Sequence, residues 1–306
     1  MAEMLVIDTH QRIAKARRRD LLFAGLGLVV LFLATAVLLT LILDLVVTGA
    51  PHIDWDFLTN YPSRRASRAG ILPAWVGTSL VMLVTAALAI PIGIAAGLYL
   101  EEYAPRSWVT DVIEINITNL AGVPSIIYGL LALGVFVYLF RLGETILVAG
   151  MVLALLVLPV IIVATREALR SIPQEVREAA FALGTDKWQT VSMYLLPAAR
   201  PGILTGIIVA LARAIGETAP LITIGALTFI AFLPPSPITS EPPFLSFDWL
   251  WSPFTVLPIQ MFNWTSRPQA AFHELAAAAG VVLLVMTLAM NGLAIYIRYR
   301  TRRLMR

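Results

Sequence analysis

The sequence predicts an all-α, polytopic membrane protein with six transmembrane helices. Of its 306 residues, 59% are hydrophobic and only 13% are charged, whereas soluble domains are about half apolar and about a quarter charged. The apolar residues also fall into separate blocks of roughly 20 or more, the length that a helix needs to cross the hydrocarbon layer. This combination excludes a soluble globular enzyme.

Six apolar blocks are predicted to span the membrane. They cover residues 21–43, 73–100, 112–140, 145–165, 203–233 and 275–297. The first block could be mistaken for a cleaved signal, but it exceeds the roughly 7 to 15 apolar residues of a signal core. An uncleaved first span is therefore favoured.

The basic residues predict the orientation of the spans. An even number of spans puts both termini on one side, and short loops rich in Lys and Arg stay in the cytoplasm. Both termini are basic, and so is the segment between the fourth and fifth spans. The terminal residues concerned are Arg12, Lys15, Arg17, Arg18, Arg19, Arg298, Arg300, Arg302, Arg303 and Arg306. We therefore expect both termini to be cytoplasmic, although Arg64, Arg65 and Arg68 run against the trend.

A long external loop is predicted over residues 234–274. Its prolines are dense enough to oppose a regular helix, and its tryptophans, Trp249, Trp251 and Trp264, are of the residue type that prefers the headgroup layer. A loop resting on the membrane is favoured over a binding lid.

The most polar part of the chain, residues 166–200, is predicted to form two short helices. Ser171 with Gln174 has the form of a capping box at the start of the first helix. Gly184 is placed to terminate that helix. Asp186 with Gln189 repeats the capping signal for the second helix.

These two helices are amphipathic. The first has an apolar face made by Val176, Ala179, Ala180 and Leu183. The second is predicted to carry Trp188, Val191 and Leu195 and to end near Pro197. Such a pair can enter a groove on a partner protein or lie on lipid, and composition leaves both open.

Arg213 and Glu217 lie inside the predicted fifth span. Their spacing of four puts both side chains on one helical face. A charge inside a span costs roughly 3 kcal/mol and normally faces a bundle interior or an aqueous path. The guanidinium could bind an oxyanion, and the carboxylate could accept a hydrogen bond from a protonated anion. This favours phosphate over sulfate, while an internal ion pair that only holds helices together remains the alternative.

Several classes of chemistry are excluded by what the chain lacks. It has no cysteine, and its three histidines are far apart in sequence, so no metal site is predicted. Its lysines, Lys15 and Lys187, belong to no G-x-x-x-x-G-K-[ST] loop. No clustered catalytic constellation occurs in the spans. The chain is therefore expected to be neither an ATPase nor another enzyme.

The polar segment resembles the EAA loop of bacterial ABC importer permeases. The matching residues are Glu178-Ala179-Ala180, Gly184 and Leu195-Leu196-Pro197. Tyr194 stands where the family pattern usually has isoleucine. In that family the loop docks into a cleft on a separate ATPase. The resemblance implies that the coupling residues are Arg177, Glu178, Ala179, Ala180, Gly184, Leu196 and Pro197.

Three further passages resemble the PstA type of phosphate ABC importer permease. They are A-R-A-I-G-E-T-A-P-L at 212–221, L-A-G-V-P-S-I-I-Y-G-L at 120–130 and L-P-I-Q-M-F-N-W at 257–264. The resemblance implies a type I ABC importer permease fold and a substrate path lined by Arg213, Glu217 and Thr218. The stretch 234–253 departs from the family and carries no functional prediction.

The resemblance also implies an assembly in the bacterial inner membrane. Its expected members are a PstC-type second permease, two copies of a PstB-type ATPase and a PstS-type phosphate-binding protein. ATP and Mg²⁺ would bind to the ATPase, and no cofactor is expected in this chain. Inorganic phosphate and membrane lipid are the expected ligands, and no nucleic acid is.

The chain is accordingly divided into four parts. They are a basic amino-terminal segment (1–20), a first span with its external loop (21–72), the permease domain (73–297, with its coupling loop at 166–200) and a basic tail (298–306). Two alternatives remain open, namely a permease for sulfate, molybdate or another oxyanion, and a stand-alone ion-coupled carrier.

The spans also contain small-residue motifs. Gly93 with Gly97, and Gly202 with Gly206, have the G-x-x-x-G spacing that permits close contact between helices. Ordinary packing is favoured over a seam between two permeases.

Overall fold

The computed structural model of the chain describes residues 2–238 and 244–303, with side chains for most of residues 16–300. Its α-helices are α1 (Ala2–Gly49), α2 (Trp55–Thr59), α3 (Leu72–Leu98), α4 (Trp108–Leu120), α5 (Ser125–Ala132), α6 (Ile146–Arg170), α7 (Gln174–Ala182), α8 (Lys187–Gln189), α9 (Leu196–Ile215), α10 (Ala219–Thr223), α11 (Leu257–Thr265) and α12 (Ala270–Arg303). π-Helical turns extend three of them, at Tyr99–Tyr103, Leu133–Leu139 and Thr190–Leu195. Over the described residues the only β-pairing is one isolated bridge, Ile238 with Leu245. The predicted all-α class is confirmed.

The described helices provide for six membrane crossings. Five are long and apolar enough alone: Arg19–His52, Leu72–Tyr103, Ile146–Arg170, Lys187–Ile215 and Ala270–Arg300. The sixth crossing is a bent pair, Trp108–Leu120 with Ser125–Leu139. The predicted number of spans therefore agrees with the structure if the bent pair counts as one.

The third span, predicted over 112–140, is broken. Its halves, α4 and α5, meet at an angle of 106°. Gly122 and Pro124 lie between them. A proline disfavours the helical conformation of the residue before it, which opposes a helix through Val123. The helix α4 ends at Leu120, and α5 starts at Ser125.

The fifth span lies earlier than the predicted 203–233. It runs as one helical stretch over Lys187–Ile215, and α10 ends at Thr223. The predicted helix end near Pro197 is wrong, because Pro197 lies in the first turn of α9, where a missing N–H costs little. Beyond Thr223 the chain turns at Gly225, whose φ of +92° is a conformation that suits glycine.

The four motif glycines pack inside the chain. Against α6, Gly93 faces Ile161 and Gly97 faces Thr165, while Gly206 faces Ala164 and Gly202 faces Ala168. At each glycine an added Cβ would approach its neighbour within 2.9 Å. Both motifs thus serve the packing of α3 and α9 on α6, and ordinary packing is the correct interpretation.

Over the described residues, the span in α1 contacts the other helices near its carboxyl end. None of its most apolar stretch is buried. Gly49, its last residue, lies against the backbone of Ala277 in α12, and His52 pairs with Glu274 at 3.2 Å. The apolar surface of α1 is therefore left for lipid or another subunit to cover.

The predicted external loop, whose residues 239–243 lie outside the described residues, packs in part against the helices. Trp264 is fully buried, and its ring lies 6.1 Å from that of Phe57 and 6.3 Å from that of Phe272. Trp249 is also buried, and only Trp251, at 53%, is exposed. A helix, α11, forms despite the prolines because Pro258 occupies its first turn. The expectation that all three tryptophans prefer the headgroup layer is wrong for Trp249 and Trp264.

Candidate functional site

Arg213 and Glu217 form the ion pair that their spacing predicts. Arg213 Nε donates to Glu217 Oε1 over 3.3 Å. Arg213 lies in the last turn of α9, whereas Glu217 follows the helix end at Gly216. The pair therefore joins a helix terminus to the interrupted backbone that follows it.

The pair is accessible to solvent, and the Arg213 guanidinium has hydrogen-bond donors to spare. The Arg213 side chain is 41% exposed and that of Glu217 is 18% exposed. Among the described side chains, Glu217 is the only hydrogen-bond partner of Arg213, through Nε. The guanidinium carries five N–H donors, so the remaining ones are available to a bound oxyanion. Thr218 is half-buried, and its hydroxyl faces the Gly216 carbonyl oxygen at 3.5 Å.

Two interrupted helices meet beside this pair. Gly129 in α5 lies against the backbone of Pro220 and the hydroxyl of Thr223, both in α10, and an added Cβ would overlap them. Thr223 Oγ1 donates to the Pro220 carbonyl over 2.8 Å. Irregular backbone at membrane depth is tolerated where it is buried in protein or lines a water-filled cavity. This arrangement suits a path through the chain.

Tyr128 closes the break in the third span. Its hydroxyl donates to the carbonyl oxygen of Leu120, the last residue of α4, over 2.8 Å. The sequence analysis treated residues 120–130 as one block of resemblance and gave no residue in it a role. The sequence signal for the contact between Tyr128 and Leu120 was a tyrosine in the first turn of the helix after Pro124.

The predicted capping signals of the polar segment are right at one helix start and wrong at the other. Asp186 Oδ1 accepts from Gln189 N at 2.7 Å, and Gln189 Oε1 accepts from Asp186 N at 3.0 Å, which is the predicted capping box. Ser171 instead ends α6, where its hydroxyl donates to Ala168 O over 2.8 Å. Its separation from α7 by Pro173 explains the error, because Pro173 takes the capping position itself.

The first helix of the segment, α7, presents most of its predicted apolar face outward. Ala180 is buried at 2%, but Leu183 is 76% exposed, and Glu178 and Ala179 are exposed too. The helix ends as predicted at Gly184, whose φ is +82°. Two more large apolar side chains near this helix end are exposed, Phe181 at 49% and Trp188 at 65%. We call Phe181, Leu183 and Trp188 the outward apolar patch.

Arg177 points inward, away from this patch. It is 15% exposed and donates to Glu102 Oε1 over 2.8 Å. It also donates to the carbonyl oxygens of Leu169 at 3.0 Å and Ile172 at 2.9 Å. Arg177 thus ties α7 to the ends of α3 and α6, an attachment that the sequence analysis missed. Two consecutive glutamates, Glu101 and Glu102, stand at the end of an apolar span. They were the sequence signal that could have indicated an arginine partner.

Leu196 and Pro197 lie at the start of α9, where both are half-buried. The preceding Leu195 is fully buried, and Tyr194, at the family's isoleucine position, is 40% exposed. This part of the motif therefore seats the segment on the helices and does not contribute to the outward apolar patch.

A second group of charges surrounds Arg166 at the same end of the helices. Arg166 Nε is 3.4 Å from Glu101 Oε2, and its Nη2 pairs with Glu114. Arg170 binds both oxygens of Glu101, at 3.1 and 2.9 Å. Over the part of the chain that the structure describes, no group of His, Cys, Asp and Glu could hold a metal ion.

Residues 89–303 match the family of binding-protein-dependent transport system inner membrane components. That range covers most of the chain, including both charged groups and the polar segment. The chain belongs to this family. It is a multi-pass inner-membrane subunit of an ABC importer assembly and is a transport component, not an enzyme.

Relatives of this inner-membrane component include several permeases. It is 32% identical over 261 residues to the probable ABC transporter permease protein YqgI of Bacillus subtilis, covering 85% of this chain and 87% of that one. It is 35% identical over 237 residues to the phosphate transport system permease protein PstA of Yersinia pestis, covering 76% and 74%.

A solved structure supports the fold. The chain is similar, with a TM-score of 0.64 and 15% identity, to a chain of a bacterial alginate ABC transporter crystallised with its alginate-bound periplasmic protein. The match covers 94% of this chain and 96% of the other. The type I importer permease fold inferred from the EAA loop is thereby confirmed.

Proposed function

We propose that this inner-membrane component is the PstA-type permease of an ATP-driven importer of inorganic phosphate. The observation that carries the proposal is the accessible Arg213–Glu217 pair beside two interrupted helices. Several relatives named as PstA phosphate permeases, among them the Yersinia pestis protein, support phosphate as the cargo. Arg213, Glu217 and Thr218 are the proposed path residues.

The pair has the charges that a monoprotonated anion needs. The planar fork of Arg213 matches a tetrahedral oxyanion. The carboxylate of Glu217 repels a fully ionised anion but accepts a hydrogen bond from one that keeps a proton. Near neutral pH phosphate keeps a proton and sulfate does not, so the pair favours phosphate.

The energy comes from a partner that docks on the outward apolar patch. Exposed large apolar side chains on a projecting helix pair fit the cleft of another protein. The proposed coupling residues are Glu178, Ala179, Ala180 and Gly184 near the patch, with Arg177, Leu196 and Pro197 holding the segment in place. A PstB-type ATPase, in two copies, would hold the ATP and Mg²⁺, and this chain would hold no cofactor.

The other proposed partners are a PstC-type permease and a PstS-type binding protein. The basic ends put both termini in the cytoplasm. The coupling segment then also faces the cytoplasm, where the ATPase resides, and the loop before α11 faces the binding protein.

Phosphate uptake into vesicles that hold all four kinds of subunit tests the proposal. We expect ATP-dependent uptake that is lost in Arg213→Gln, while the variant still co-purifies with its partners. Arg298→Gln is the matched control, because Arg298 is a half-buried arginine of α12 that bonds Thr205 in the middle of α9, away from the Arg213–Glu217 pair. Uptake without ATPase or binding protein, or preferred uptake of sulfate or molybdate, would contradict the proposal.

A further inference from the structure

Helix α4 is weakly attached to the rest of the chain. None of its residues is buried. Among the described residues, its one side-chain hydrogen bond or ion pair to another helix joins Glu114 to Arg166 of α6. At its other end the Leu120 carbonyl accepts from Tyr128 of α5. A helix with few buried contacts is a natural moving element.

The partner of Glu114 lies at the centre of a charge network. The Arg166 side chain is only 10% exposed and contacts both Glu101 and Glu114. Glu101 belongs to the π-helical end of α3, and its neighbour Glu102 binds Arg177 of α7. One chain of contacts therefore runs from α7 through Glu102, Glu101 and Arg166 to α4.

The two ends of this network differ in how readily they can open. Arg177 and Glu102 are 15% and 11% exposed, so separating them would strand two desolvated charges. Glu114 is 34% exposed and borders an open groove of about 360 Å³. Water can replace Arg166 as the partner of Glu114 more easily than it can replace Arg177 as the partner of Glu102. The contact with α4 is thus the one able to break and re-form.

The far end of α4 leads to the proposed phosphate site. Tyr128 joins α4 to α5, and the neighbouring Gly129 lies against Pro220, three residues after Glu217. A shift of α4 would therefore press on the interrupted backbone beside Arg213 and Glu217.

We propose that Arg166 is a positioning residue that transmits movement of α7 to α4, and that the Glu114–Arg166 pair is a clasp that opens during each transport cycle. The inference rests on the proposed function for its cargo. It adds a route by which the coupling segment acts on the path. The α7 end of the route stays closed while the α4 end alternates.

The first test removes the charge of Glu114 in the complete reconstituted transporter. We expect Glu114→Gln to hydrolyse ATP within about twofold of wild type while the phosphate imported per ATP falls about fivefold, since network residues modulate coupling. Glu114→Asp should recover most of the loss. Asp111→Asn is the matched control, being an exposed acidic residue on the same helix.

The second test pins α4 to α6 while keeping the clasp residues. The chain has no cysteine, so Ile115→Cys with Val163→Cys, both lining the groove, gives a defined pair for a short bifunctional thiol reagent. We expect cross-linking to abolish transport, the single-cysteine variants to retain it, and the cross-link yield to differ between ATP-free and vanadate-trapped transporter.

The outcomes separate the two proposals. If wild type fails to import phosphate with ATP, the proposed cargo is wrong, and the cross-link yields still report on the clasp. If Glu114→Gln imports the normal amount of phosphate per ATP, or if the pinned transporter works at the wild-type rate, the clasp is overturned. An equal cross-link yield in both nucleotide states would also overturn it.

Discussion

Gly129 of α5 lies so close to Pro220 of α10 that the helices following the breaks at residues 121–124 and 216–218 touch through backbone atoms. The contact joins α5 to α10. Glu217 lies two residues before the start of α10. Because Gly129 has no side chain, α5 directly approaches the backbone of Pro220 and the hydroxyl of Thr223. We therefore expect this contact to influence the shape of the proposed path.

Replacing Gly129 by Ala tests the contact. The added methyl group must push apart Pro220 and Thr223, and overpacking of this kind costs about 1–3 kcal/mol. We expect a lower melting temperature of the purified complex and reduced phosphate uptake. Gly134→Ala is the control, since nothing lies within 4 Å of a Cβ there. Equal effects of the two changes would contradict the prediction.

Replacing Glu217 by Gln tests how the pair selects its anion. The amide oxygen still accepts a hydrogen bond, but the negative charge that repels a fully ionised anion is gone. We expect sulfate to gain on phosphate by about tenfold in competitive uptake, equal to about 1.4 kcal/mol. Glu274→Gln removes a carboxylate that pairs with His52 elsewhere in the chain and should leave selectivity unchanged. Unaltered selectivity in Glu217→Gln would mean that the carboxylate only neutralises Arg213.

Replacing Trp188 by Ala tests the outward apolar patch. Trp188 is 65% exposed in this chain, so its loss should change the stability of the chain by less than about 0.5 kcal/mol. A tryptophan that becomes buried in an interface can contribute about 2 kcal/mol or more. We therefore expect the ATPase to co-purify at least about tenfold more weakly. Trp251→Ala, an exposed tryptophan in the loop before α11, should retain the ATPase, and a normal yield for Trp188→Ala would place the docking surface elsewhere.

Replacing Gly184 by Ala tests the end of α7. At a φ of +82° an alanine is strained by roughly 1 kcal/mol. We expect faster proteolysis within residues 174–186 and weaker ATP-driven transport. Gly27→Ala, inside α1 with open space around it, is the control and should behave as wild type. Proteolysis at the wild-type rate would show that α7 tolerates a different ending.

The sequence predicted features that depend on local spacing. The four-residue interval put Arg213 beside Glu217, the Asp186 and Gln189 signal gave a capping box, and Gly184 ended its helix. Each depends on atoms within one helical turn. Local periodicity and capping preferences specified these contacts, but the equally local signal of Ser171 with Gln174 was wrong because Pro173 takes the capping position.

The sequence could not predict features that depend on direction. An apolar block shows no bend angle, so the 106° angle at the break before Ser125 could not be predicted from the position of Pro124 alone. An arginine in a polar segment does not show which way its side chain points, so the contact of Arg177 with Glu102 could not be predicted. Both required the arrangement of neighbouring helices, which lies far away in sequence.

The glycines of α3 and α9 that pack against α6 limit how the molecule can change shape. Gly93 and Gly97 of α3, and Gly202 and Gly206 of α9, pack against neighbouring positions of α6. These helices therefore cannot slide past one another without steric clashes. Closely packed interiors of this kind switch between discrete arrangements and do not deform continuously. We expect α3, α6 and α9 to move as one rigid body. Rotation of the neighbouring helices would then occur at the helix interruptions that contain Gly122 and Gly216.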